Sequence, residues 1–189
     1  MIKEQLKDLL GVKSPLLTFV WAEAKEGVIG YKNTLPWHLP EEMAWFKQVT
    51  TGDTVVMGRG TYKSIPKPPL KNRRNIVLSA ETIDHEGVET AHNLTELENL
   101  IKDSHELVHI IGGASLFEQL KDTVDILIQT KIDHDYPGDT WMSDIDWDQF
   151  VCVWEDDEVS QTDIHFTKSI YLRKYLSRQL DNEEIRRNK

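Results

Sequence analysis

The chain has 189 residues and sets 22 Lys and Arg against 32 Asp and Glu, a formal net charge of −10. The length suits one domain with a real core, and 39% apolar with 29% charged residues reads as a globular chain in water. No apolar run approaches the roughly 18–20 residues of a membrane span, acids interrupt the amino-terminal apolar pattern as they do not in a signal peptide, and an acidic total argues against a nucleic-acid partner.

In chain order, Ile2, Leu6, Leu9 and Leu10 share one helical face, with Gly11 as the cap. Residues 1–16 are thus expected as a helical extension, and 16–24 read as an apolar strand. A loop over 25–38 is punctuated by Gly27, Gly30, Asn33 and Pro36. Pro40 suits a first helical turn, and the helix it opens stops at Gly52. Residues 54–57, 75–79 and 106–111 are short β-branched runs of the buried-strand kind. Thr95 and Glu98 stand at capping-box spacing and predict a helix to about Lys102. A helix over 114–120 and a strand over 124–132 follow, and the alternation in 151–159 and 164–173 predicts an antiparallel pair. Strands interleaved with helices and closed by a hairpin imply one α/β domain over 17–174, its sheet mostly parallel with an antiparallel edge. Residues 175–189 form a tail with Leu176 and Leu180 four apart. Both terminal segments read as helices docked on their own chain, so a monomer is expected. A dimer contact through their apolar faces is the alternative. The single cysteine, Cys152, excludes a disulfide within the chain and fits the reducing cytoplasm.

Charge is unevenly distributed. Residues 54–80 hold Arg59, Lys63, Lys67, Lys71, Arg73 and Arg74 and no acid, whereas 133–148 hold six aspartates and no Lys or Arg. The acidic run reads as solvated surface. The cationic island reads either as surface or as a site for a small polyanion. His105-Glu106-Leu107-Val108-His109 matches the H-E-x-x-H pattern of zinc peptidases, but it runs into Ile110-Ile111-Gly112-Gly113 as a strand. Residues four apart on a strand are separated by about 13 Å, so the two imidazoles cannot share a metal ion, and no metal site is expected.

The most informative segment is Leu35-Pro36-Trp37-His38-Leu39-Pro40-Glu41-Glu42-Met43-Ala44-Trp45-Phe46. On the helix, Glu42, Trp45, Phe46 and Val49 share a face, which puts a carboxylate among large apolar side chains. Such a group is either bonded to nearby backbone at the rim of the core or meets a partner of functional kind. Helical spacing alone leaves both readings open.

That segment, together with TVVMGRGTYKSI, RRNIVLS, IIGGASLFEQL and YPGDT, resembles bacterial dihydrofolate reductase in order and interval over 17–174. The resemblance implies an eight-stranded, mostly parallel sheet with an antiparallel carboxy-terminal edge, flanked by helices. It also implies NADPH-dependent reduction of 7,8-dihydrofolate to tetrahydrofolate, with hydride passing to pterin C6 and a proton to N5. Glu42 falls on the family's essential carboxylate, an acceptor suited to the pterin's N3 and 2-amino donors. Trp37 and Thr130 match the residues that orient this carboxylate and a water. Val20, Phe46, Ile65, Leu70, Ile111 and Phe117 match the apolar walls around the substrate, although their types would serve equally as core. Arg73 matches the arginine that forks onto the α-carboxylate of the glutamate tail. For the cofactor, Gly58, Arg59, Gly60 and Thr61 lie at a strand-to-helix transition suited to phosphate. Arg59 and Ser79 match positions that select the 2′-phosphate, while Gly60 and Ala80 depart from the cationic or hydrogen-bonding residues that members often place there. Gly112 and Gly113 match a cis-linked pair beside the diphosphate. Leu78, Ala114, Ser115 and Leu116 complete that wall, and Ala22, Ile29 and Gly30 match the nicotinamide end under a lid formed by 25–38. Two other readings keep the fold: a reductase of another pterin or a ribosylated pyrimidine, and a catalytically idle binder of NADPH or folate. Glu42 with Arg73 weighs against the first, and Trp37, Glu42 and Thr130 together weigh against the second.

Overall fold

The β-branched runs pair side by side in the computed structural model, which describes residues 2–178. In chain order the elements are α1 (Ile2–Leu10), β1 (Leu16–Glu23), β2 (Val28–Gly30), α2 (Pro40–Thr50), β3 (Thr54–Gly58), α3 (Arg59–Ser64), β4 (Arg74–Leu78), β5 (Val88–Ala91), α4 (Leu94–Ile101), β6 (Leu107–Ile110), α5 (Ala114–Leu120), β7 (Ile126–Ile132), β8 (Thr140–Trp141), β9 (Phe150–Val159), β10 (His165–Arg173) and α6 (Lys174–Ser177). Eight strands form one sheet in the order β5-β4-β3-β6-β1-β7-β10-β9, and β2 pairs separately with β8. From β5 to β7 every pairing is parallel, and β10 and β9 close the sheet antiparallel.

Successive side chains of β1 alternate between two cores, as the pleat requires. Phe19 and Trp21 join Leu97 of α4 and Leu116 and Phe117 of α5, whereas Val20 joins Trp45 and Val49 of α2. The strand is therefore buried on both faces, which is why its sequence reads as a continuous apolar run. Among the described residues, no helix is long and apolar enough to cross a membrane.

Three details depart from the sequence reading. Strand β5 was not anticipated: Val88-Glu89-Thr90-Ala91 is short and half polar because it forms an edge, paired among the described residues only with β4. Helix α4 is capped two residues earlier than predicted. Asn93 accepts from the Glu96 backbone N–H at 2.9 Å and Glu96 accepts from the His92 N–H at 2.9 Å, which leaves Thr95 inside the first turn. The loop over 25–38 contributes a strand, β2, that its glycine-punctuated sequence did not announce. Gly11 follows α1 with a φ of +54°, consistent with the expected cap. In α1, Leu6 is buried with Leu9 and Leu10 packed nearby, against the same apolar layer as Leu176 of α6. The apolar face of this extension is thus covered by its own chain. The side chain of Ile2 and the predicted contribution of Leu180 lie outside the described residues.

His109 lies within β6 and His105 just before it, so the H-E-x-x-H run leads into a strand and forms no helix. His109 is fully buried, and His105 instead bonds the Lys13 carbonyl at 2.8 Å. The His109 Nε2–H donates to Asp53 at 3.1 Å, and its Nδ1 accepts from the Thr18 hydroxyl. Lys3 and Lys7 of α1 pair with the same carboxylate. Burial disfavours charge on Asp53, yet hydrogen bonds from His109, Lys7 and Lys3 more than offset it and hold its pKa down to about 2. For His109 burial is the larger influence and pushes its pKa down, so the ring stays neutral. A depressed carboxyl pKa stabilises the fold above about pH 4, and that contribution is lost as pH falls through about 2. We expect Asp53→Asn to cost about 3 kcal/mol at neutral pH, because it leaves buried cations unpaired. Urea unfolding should show the gap to wild type narrowing between pH 4 and 2. A gap constant with pH would contradict the assignment.

Candidate active site

Parallel strands expose their carboxyl ends at one edge of the sheet, and ligands of open α/β sheets bind outside those ends. Here the ends of β1, β3 and β6 are neighbours, and α2, α3 and α5 with the loop after β1 enclose a cleft of about 340 Å³. The structure gathers there Val20, Ala22, Ile29, Gly30, Glu42, Phe46, Thr61, Ile65, Leu70, Ile111, Gly112, Gly113, Ala114 and Phe117, all expected from the sequence. Trp21, Asn33, Met43, Ser64 and Thr140 also line it and were not anticipated. Met43 lies three residues before Phe46, and that helical spacing could have revealed it. Thr140 arrives from a strand more than a hundred residues beyond Val20; it ends the YPGDT motif, but residue type alone did not place it in the cleft.

Glu42 occupies the first turn of α2, where the helix dipole favours an acid. Its side chain turns to the apolar face and is only 6% exposed. Among the described residues no ion pair or side-chain hydrogen bond reaches its carboxyl, and burial alone pushes its pKa up from 4.5 to about 7. The rim reading, in which backbone satisfies the carboxylate, is therefore not what the fold builds. Trp37 and Glu42 together line a second, adjoining cavity of about 330 Å³. The Trp37 ring packs at 5.7 Å from Tyr136, while its Nε1–H is buried without a hydrogen-bond partner among the described residues. Thr130 of β7 stands in register with Ala22 and is buried beside, not in, the cleft.

The other arm of the cleft is made of backbone. Helices α3 and α5 start at Gly58 and Gly113 with no side chain capping either first turn, so their N–H groups remain available to an anion. The Gly112–Gly113 peptide is cis, as the resemblance implied. Gly112 has a φ of +127°, and a Cβ there would press to 3.2 Å from the Thr61 hydroxyl, so both conformation and space call for glycine. Nearby, Arg59 pairs with Glu81 at 2.7 Å, and its Nε–H is buried without a hydrogen-bond partner among the described residues. Ser79 is buried and accepts from the Glu81 N–H at 3.2 Å. Gly60 and Leu78 flank this arm without lining the cleft, as does Ser115, and Leu116 is committed to the core. Glycine backbone, two uncapped helix starts and an arginine suit a dinucleotide diphosphate with a further phosphate. Arg73 lies outside the cleft lining, half-buried, with Nη1–H donating to the Thr50 hydroxyl at 3.0 Å and Nε–H to the Lys71 carbonyl at 2.9 Å.

The loop after β1 is latched from the acidic run, which is therefore more than solvated surface. The Lys32 N–H donates to Asp139 at 2.9 Å, the Asp139 N–H to the Gly30 carbonyl at 3.0 Å and the Met142 N–H to the Gly27 carbonyl at 2.9 Å. Asn33 bridges from the loop to the Gly60 carbonyl at 3.3 Å. A Cβ on Gly138 would come within 2.4 Å of Val28, so glycine is required for this close approach.

A sheet of this order with a crevice at its parallel strand ends is an open α/β architecture of the kind that binds ligands there. More narrowly, the dihydrofolate reductase family model matches residues 16–173, and the chain belongs to that family. The dihydrofolate reductase of Haemophilus influenzae is 37% identical over 153 residues, 79% of this chain and 94% of the relative. That of Staphylococcus aureus is 43% identical over 126 residues, 66% and 76% of the two chains. A solved dihydrofolate reductase from Enterococcus faecalis, complexed with NADP(H) and RAB-propyl, shares the fold with a TM-score of 0.79 at 32% identity, covering 84% of this chain and 96% of that one.

The raised pKa of Glu42 has a measurable consequence. A folded-state value near 7 against 4.5 unfolded costs stability progressively as pH rises between them. Glu42→Gln should therefore match wild type at pH 4.5 and exceed it at pH 8 by up to about 3 kcal/mol in urea unfolding of the unliganded protein. A pH-independent difference would contradict a desolvated, unpaired carboxyl.

Proposed function

We infer that the NADPH-dependent reduction of 7,8-dihydrofolate to tetrahydrofolate, the reaction of this family, is carried by the cleft around Glu42. Support comes foremost from Glu42 itself, a buried carboxyl with no ion pair, set in a wall of apolar side chains at the strand ends. When bound, NADPH supplies a hydride for pterin C6. The side chains of Val20, Phe46, Ile65, Leu70, Ile111 and Phe117 form the apolar walls that exclude water from the flat ring and the aminobenzoyl group. Glu42 accepts from the N3–H and 2-amino group, and its negative charge favours the protonated pterin. A carboxyl titrating near 7 both holds and yields a proton at neutral pH, which suits a group that supports proton delivery to N5. Trp37 Nε1–H and Thr130 orient that carboxyl and the water beside it. Arg73 receives the α-carboxylate of the glutamate tail through its remaining N–H groups. The first turns of α3 and α5, with Gly112, Gly113 and Thr61, hold the diphosphate. Arg59 and Ser79 hold the 2′-phosphate, with Arg59 leaving Glu81 to do so. Ala22, Ile29 and Gly30 meet the nicotinamide under the lid. We place the enzyme in the cytoplasm on its single cysteine, and read it as a monomer because the apolar face of α1 is spent on its own sheet.

NADPH oxidation with dihydrofolate, followed by absorbance, tests this reading. Glu42→Gln should lower kcat/KM by about 10²-fold or more while binding NADPH normally. A well-folded wild type without activity, or a fully active Glu42→Gln, would overturn it. Arg59→Ala should lower the NADPH-over-NADH ratio of kcat/KM by about 10- to 100-fold, since a charge-assisted bond to phosphate is lost. An unchanged ratio would remove Arg59 from the cofactor site.

A further inference from the structure

Helix α1 precedes the span matched by the family model, yet it is tied into the substrate end of the molecule. Lys3 is only 4% exposed, which is rare for a lysine unless it is paired. Its ammonium donates to the Thr51 carbonyl at 2.6 Å, at the end of α2, and lies 3.0 Å from Asp53. A cation is favoured there because the carbonyls ending a helix carry partial negative charge. Leu6, one turn along, packs in the same apolar layer as Trp45 and Val49 of α2, so the contact is anchored by burial as well as by charge.

Residues 50–53 face a second strand of contacts. The Gly52 N–H donates to the Asn72 carbonyl at 2.8 Å, and the Arg74 N–H donates to the Asp53 carbonyl at 3.2 Å. Between those two bonds, Arg73 Nη1–H donates to the Thr50 hydroxyl at 3.0 Å. The turn that fixes the Arg73 guanidinium is thus the turn that Lys3 grips through Thr51 and Asp53. Arg73 has few other restraints: among the described residues its side chain bonds only Thr50 and the Lys71 carbonyl. We propose that Lys3, carried on the amino-terminal extension, is a positioning residue for the tail of the substrate, holding the turn at residues 50–53 in the place from which Thr50 orients Arg73. This rests on reading Arg73 as the receptor of the tail carboxylate.

Full-chain Lys3→Met, Arg73→Leu and the double variant separate the two ideas. Lys3→Met should raise the KM for dihydrofolate about tenfold and leave kcat and the KM for NADPH within about twofold, because only uniform binding of the tail is weakened. Toward a 7,8-dihydropterin lacking the aminobenzoylglutamate, Lys3→Met and wild type should have equal kcat/KM. In the Arg73→Leu background the Lys3 substitution should add less than about twofold, since the two act in series. A folded Lys3→Met with an unchanged KM for dihydrofolate overturns the proposal, as does equal loss on the truncated dihydropterin or full additivity with Arg73→Leu. Should Lys3→Met fail to fold, Lys3→Gln, which keeps a donor of shorter reach, is read by the same split. Arg73→Leu with wild-type KM for dihydrofolate would instead show that the reading of Arg73 has failed.

Discussion

The parallel pairing of β6 with both β1 and β3 is the constraint on which the rest of the molecule hangs. Parallel strands need crossovers, and crossovers in both directions from the centre of the sheet leave the ends of β1, β3 and β6 adjacent and uncovered. Each chain segment leaving those ends contributes one part of the cleft. After β1 come the lid and α2 with Glu42, after β3 comes α3 with Arg59 and Thr61, and after β6 comes the glycine pair opening α5. Because the central parallel strands β1, β3 and β6 are buried, the polar groups that backbone cannot satisfy collect at their ends, where a ligand can meet them.

Two buried carboxyls show how completely surroundings decide what an acid does. Asp53 is fully enclosed, but a neutral imidazole and two ammonium groups converge on it, so it stays ionised and binds α1 to the body of the protein. Glu42 is almost as buried and has no such company among the described residues, so its pKa rises to about 7. The first arrangement spends its charge on internal contacts. The second leaves its hydrogen-bonding capacity unused by the described residues.

The cationic island divides in a similar way. Arg74 is satisfied within the fold, donating to Glu89 at 2.6 and 2.8 Å and to the Leu100 carbonyl at 2.9 Å. Its neighbour Arg73, just before the strand begins, makes only two side-chain bonds among the described residues. Arg59 has a carboxylate partner, but an exposed one, and such pairs are worth little against a phosphate. A run of like charge in sequence thus holds both an arginine satisfied within the fold and two that are less fully engaged by it.

Much of this was legible in the sequence, because some forces act between near neighbours along the chain. Alternation and helical spacing are local consequences of backbone geometry, so the principal strands, α2, α5 and the final hairpin could be placed from residue types alone. Glu42 could be put on an apolar face for the same reason, and five motifs in register identified the family. Tertiary structure decided what depends on residues far apart. Whether the Glu42 carboxyl would find a partner, whether Lys3 would be buried on Thr51 and Asp53, and whether Asp139 would latch the loop were questions of long-range packing. Edge strand β5 and the lid strand β2 exist only because β4 and β8 offer them hydrogen bonds, and nothing in four or three residues announces that offer. Spacing along the chain determines which face a side chain takes. Only the fold determines what stands opposite, and for a buried charge that sets both its ionisation and its use.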